Sequence, residues 1–102
     1  MSKFFDLINH SDTPVLVDFH AVWCGPCKTM EPTIKEFATE KEGELKVLKV
    51  DVDKNPAVAQ KYNIRGVPTL ILFHKGNIVW QQSGVVPKHT LEDVFENYST
   101  KQ

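Results

Sequence analysis

Cysteine is scarce in this chain: two among 102 residues, at positions 24 and 27. A framework of several disulfides is therefore excluded, and so is a zinc site built from two cysteine pairs. Long hydrophobic runs are missing, since nothing approaches the roughly 20 apolar residues of a membrane span. The opening MSKFFDLINH is too short and too interrupted to be the apolar core of a secretory signal. No one sign of charge dominates either. Twelve Lys and Arg stand against thirteen Asp and Glu, for a formal net charge of -1. No basic cluster breaks that balance locally, which argues against a nucleic-acid partner. The stretch Glu40-Lys41-Glu42-Gly43-Glu44-Leu45-Lys46 mixes both signs and reads as a solvated helix end and turn. Repeats, low-complexity segments and linkers are absent too. The length points to one domain. We expect a cytoplasmic monomer with no membrane association.

What is present has the rhythm of an α/β fold. Ser2 can cap a first helix whose apolar face is Phe4, Phe5, Leu7 and Ile8. Ser11-Asp12-Thr13-Pro14 breaks the chain. Val15-Leu16-Val17-Asp18-Phe19 is a short apolar run of the kind buried on both faces of a parallel sheet. Residues 26–42 are helical in pattern, with Met30, Ile34 and Phe37 inward and Pro32 as an internal kink. Residues 45–52 make a second strand. Asn55 and Pro56 suit a helix start, as cap and first residue. Residues 69–73 and 78–82 form a hairpin around His74-Lys75-Gly76-Asn77, and Gly84 ends it. Pro87 opens a last helix with Leu91, Val94, Phe95 and Tyr98 on one face. The βαβ part should be parallel and the hairpin antiparallel. The predicted architecture is a mixed four-stranded sheet between helices, a three-layer α/β sandwich.

The two cysteines lie in Trp23-Cys24-Gly25-Pro26-Cys27. A thiol with an ordinary pKa is mostly idle at neutral pH, because the thiolate is the nucleophile. A helix start at Cys24 would favour the anion through unpaired N–H groups and the positive dipole end. Pro26 suits the first turn, and Gly25 would let the chain turn with no Cβ in the way. So small a loop constrains an unfolded chain little, so this spacing serves a bond that is exchanged rather than a permanent staple. Cys24, nearer the helix start and expected to be more exposed, would attack a partner's disulfide. Cys27 would then resolve the mixed disulfide. Asp18, a carboxylate in an apolar strand, is the candidate base for Cys27, and Lys49 in the next strand its candidate partner. Two alternatives stand beside this reading. Asp18 could merely cap a backbone group. The cysteines could bind metal, with His20 in the spacing His20-x3-Cys24-x2-Cys27, although a second ligand pair is missing.

These residues, with Pro32, Asp53-Lys54-Asn55-Pro56, Ile64-Arg65-Gly66-Val67-Pro68-Thr69 and Gly84, resemble the thioredoxin family from about residue 15 to the end. The resemblance implies that Pro68 is cis and lies against the cysteines. It also implies that Val67 offers its backbone to an extended substrate, with Trp23, Val67, Pro68, Gly84 and Val85 forming an apolar docking surface. Asp18 and Lys49 match the family's buried acid and its lysine. Gly25-Pro26 matches its reducing members. Two departures stand out. Only 14 residues precede Val15 and read as one helix, so the family's N-terminal edge strand should be missing. His20 also stands where many members carry Trp, and its titration could influence Cys24.

The function implied is protein disulfide reduction, with the chain acting as an electron carrier. The expected partners are disulfide-containing substrate proteins and an NADPH-dependent thioredoxin reductase. No bound cofactor is expected, since the thiols carry the electrons. A rigid binding scaffold and a reductant dedicated to one partner are the rival readings.

Overall fold

In the computed structural model, which describes residues 2–100, the first helix α1 covers Ser2–His10. Phe4 and Ile8 are buried on its inner face, and Phe5 and Leu7 are half-buried. The capping role expected of Ser2 concerns a side chain outside the described residues. The Ser11 hydroxyl donates to the Thr13 carbonyl at 2.8 Å and closes the turn that follows. Strand β1 is Val15–His20. Helix α2 is Gly25–Glu40, with Pro32 inside it. Strand β2 is Lys46–Asp51, shorter at both ends than the expected 45–52. Leu45 is buried outside the strand, where its N–H donates to Lys41 in the preceding turn.

Helix α3, Pro56–Lys61, begins where expected, yet Asn55 does not cap it through its side chain. That amide donates backwards to the Asp51 carbonyl at 3.0 Å. Strands β3, Thr69–His74, and β4, Asn77–Ser83, form the hairpin. Lys75 (φ 51°) and Gly76 (φ 85°) make its turn. Two successive left-handed residues match the right-handed twist of the flanking strands, which is why a glycine belongs there. Helix α4 is Lys88–Thr100.

The sheet order is β2-β1-β3-β4. β1 runs parallel to β2 and antiparallel to β3, and β3 is antiparallel to β4. The mixed four-stranded sheet is thus as expected. Strand alternation sorts the core into two layers. Leu16, Leu70 and Leu72 pack with Met30, Ile34 and Phe37 of α2 and Leu91 and Phe95 of α4. Val15, Val17, Phe19, Ile71 and Phe73 pack with Phe4 and Ile8 of α1 and Val58 of α3. Full burial of each such side chain stabilises by roughly 1.5–3 kcal/mol. By the same alternation Asp18 faces the α2 layer, beside Leu16. At the far end Lys88 joins α4 to α2 through Glu36 (3.0 Å) and Glu40. Those two hydrogen bonds, Glu40's foremost, hold its ammonium pKa above the ordinary lysine range.

Candidate functional site: the dithiol centre

The site forms where β1 ends and α2 begins. After His20 the chain turns, and the Cys24 N–H donates to the Ala21 carbonyl at 3.2 Å. Cys24 is the N-cap of α2, with extended backbone (φ −90°, ψ 111°). Its sulfur does what a serine or aspartate oxygen does at other helix starts: it accepts the Cys27 N–H, at 3.1 Å. Pro26 occupies the first helical turn, where its missing N–H leaves no helical bond unmade.

Cys24 and Cys27 are joined by a disulfide, with Cα atoms 5.3 Å apart, inside the range disulfides need. Contrary to expectation, Cys24 is not the more exposed of the two. They are 3% and 5% exposed, because both pack with Ala21, Val52 and Val67. The role expected of Gly25 also changes. Its φ lies outside the left-handed region, and a Cβ built there meets no atom within 4 Å. Neither backbone nor space demands glycine at 25. Its effect is to leave the surface beside the sulfurs bare.

Val52 and Val67 pack against the pair. Val67–Pro68 is a cis peptide bond, as the resemblance implied. The Val67 carbonyl oxygen lies 3.6 Å from Cys24 Sγ. The Gly84 N–H donates to the Pro68 carbonyl at 2.8 Å, which ties the turn after β4 to this segment. Thr69 anchors the same region, its hydroxyl donating to the Gly66 carbonyl at 2.7 Å. Among the large apolar side chains, Trp23 is 69% exposed, Val22 66% and Val85 49%. The Trp23 indole N–H donates to Asp53 Oδ2 at 2.8 Å. Trp23 therefore presents its ring to solvent rather than packing it inward. Val22 was not singled out from the sequence, and Asp53 only as part of the family resemblance, with no link to Trp23. Asp53 sits 30 residues from Trp23, and no local pattern announces that bond.

Asp18 is buried, and burial raises its carboxyl pKa above the ordinary range. His20 and then Lys49 pull it back, and Glu31 adds to the rise. Its Oδ1 is the one buried side-chain polar atom among the described residues without a hydrogen-bond partner. That excludes the backbone-capping alternative for this oxygen. Lys49 stands opposite Asp18 in the parallel register. Its ammonium makes its direct ion pair with Glu31 at 3.7 Å, and its charge acts on Asp18 from farther away. No group of three or more His, Cys, Asp or Glu among the described residues could hold a metal ion. No described helix is long and apolar enough to cross a membrane.

A thioredoxin family model matches residues 1–97. The chain belongs to the thioredoxin family. It is 47% identical over 97 residues to Thioredoxin 1 of Nostoc sp., which covers 95% of this chain and 91% of that protein. A thioredoxin of Porphyra purpurea is 43% identical, with the same coverage. Among solved structures, a single-substitution mutant of a thioredoxin from Halobacterium salinarum NRC-1 superimposes with a TM-score of 0.85 at 40% identity. That match spans 96% of this chain and 84% of the other. In a thioredoxin, a close cysteine pair at a helix start is a redox-active dithiol, and its chemistry is dithiol–disulfide exchange.

Proposed function

We propose that this thioredoxin is a general protein disulfide reductase acting as one domain, as a cytoplasmic monomer, and recycled by an NADPH-dependent thioredoxin reductase. The observation that carries the reading is the Cys24 sulfur. It accepts a helix-start N–H and lies beside the Val67 carbonyl, next in the chain to the exposed Val22-Trp23 pair.

An extended substrate segment lies against Val67, between Trp23 and the Gly84-Val85 turn. The Cys24 thiolate attacks one sulfur of its disulfide and the other sulfur leaves as a thiolate. Cys27 gives its proton to Asp18, whose Oδ1 has acceptor capacity to spare. The Cys27 thiolate then attacks Cys24 Sγ and expels the second substrate sulfur. Two electrons have passed to the substrate, and this chain holds the Cys24–Cys27 disulfide. The thiols carry the electrons without a bound cofactor.

Insulin disulfide reduction, with thioredoxin reductase and NADPH as the electron source, tests this. Turnover by the wild type that vanishes in Cys24→Ser is the expected result. If the wild type fails even with dithiothreitol in place of the reductase, general disulfide reduction is wrong and a scaffold role takes its place.

A further inference from the structure

The register pairs Asp18 of β1 with Lys49 of β2 as direct neighbours in the parallel sheet. Their side chains share the sheet face covered by α2. Asp18 belongs to the Leu16 set, and Val47, two residues before Lys49, packs into the same layer. A lysine beside a buried carboxylate would ordinarily supply its counter-charge. Here it does not. Asp18 Oδ1 has no partner, and the Lys49 ammonium turns to Glu31 Oε1 at 3.7 Å. That ion pair lies in the open, with the two side chains 45% and 57% exposed.

Glu31 reaches this place through α2. It stands four residues after Cys27, so both lie on one stripe of the helix. One helix therefore carries both the thiol that must lose a proton and the carboxylate that occupies the nearby cation. We propose that Glu31 is a positioning residue for the exchange reaction: it holds the Lys49 ammonium at the surface, out of direct ion pairing with Asp18, which stays able to take the Cys27 proton. This rests on the reading of Asp18 as the proton acceptor.

The charges around Asp18 give the sign. His20 on its own strand and Lys49 on β2 favour the carboxylate, while Glu31 on α2 disfavours it. β3 contributes only apolar Leu70 opposite Asp18. Removing Glu31's charge takes away a repulsion and frees Lys49 to swing inward. Both effects make Asp18 a weaker base. An exposed pair of this kind contributes little to stability, so Glu31→Gln should fold normally.

The test follows the Asp18 carboxyl by carbon-13 NMR titration in the reduced protein, beside the pH profile of insulin reduction by dithiothreitol. In Glu31→Gln the Asp18 titration should move to lower pH. The acid limb of the rate profile should move with it, and the plateau rate should fall by roughly two- to fivefold. Glu31→Asp, which keeps the charge, should recover most of that loss, whereas a purely helical role for Glu31 would not be rescued this way. Lys49→Gln should move the Asp18 titration upward. An Asp18 titration unchanged in Glu31→Gln overturns the proposal and leaves Asp18 free to be the base. A titration that moves while the rate profile stays fixed overturns Asp18 as the proton acceptor, and with it the role of Glu31 in the reaction.

Discussion

Trp23 Nε1 and Asp53 Oδ2 are joined by a 2.8 Å hydrogen bond that spans the rim of the redox site. Trp23 begins the segment leading to the cysteines, and Asp53 lies just after β2. The bond fixes the orientation of a ring that is 69% exposed.

Asp53→Ala should therefore act on docking more than on folding. The bond is exposed, so stability should fall by about 1 kcal/mol or less. The KM for a folded protein disulfide should rise roughly two- to fivefold, because a loosened ring must be ordered on binding. The kcat, and the rate with a small disulfide, should hardly change. Steady-state kinetics with both substrates checks this, and an equal loss on both would show that Asp53 serves the chemistry itself.

Asp18 makes a second prediction, on stability against pH. Burial raises its folded pKa above the unfolded value. The folded state then binds the proton more tightly, and stability declines as pH rises from the unfolded pKa through the folded one. Asp18→Asn keeps the shape without the charge. It should be more stable than wild type by roughly 1–3 kcal/mol at pH 8, with the advantage disappearing below about pH 4. Denaturant melts of the oxidised protein at the two pH values decide it. An advantage that persists in acid would trace to packing instead.

The hairpin turn supplies a third. Lys75 holds φ at 51°, a conformation that costs most side chains energy and that asparagine tolerates. Lys75→Asn should stabilise the protein by roughly 0.5–1 kcal/mol without altering activity. A thermal melt showing no gain would mean that the lysine chain makes stabilising contacts of its own.

Much of this was legible in the residues. Val15 to Phe19 and Thr69 to Phe73 are apolar runs, and both are buried on two faces. Lys75-Gly76 announces its turn. The cysteine segment is compatible with a helix start, because Pro26 suits a first helical turn. Other features lie beyond local pattern. Asn55 carries a strong capping signal, but its amide goes to the end of β2, where tertiary placement offers a better acceptor. The Lys49–Glu31 pair depends on how α2 lies across the sheet, which no spacing encodes. The burial of Cys24 likewise comes from Val52 and Val67, contributed by segments far along the chain.

The bond from the Cys27 N–H to Cys24 Sγ has one more consequence. The donor that reaches this sulfur belongs to the main chain, and every residue except proline brings one. Changing the side chain at 27 removes a thiol but leaves that donor in place. A Cys27→Ser variant should therefore keep the N–H donor to Cys24, and a mixed disulfide it forms with a substrate will have no thiol at 27 to resolve it. The donor to the first sulfur and the release of its adduct rest on different parts of residue 27.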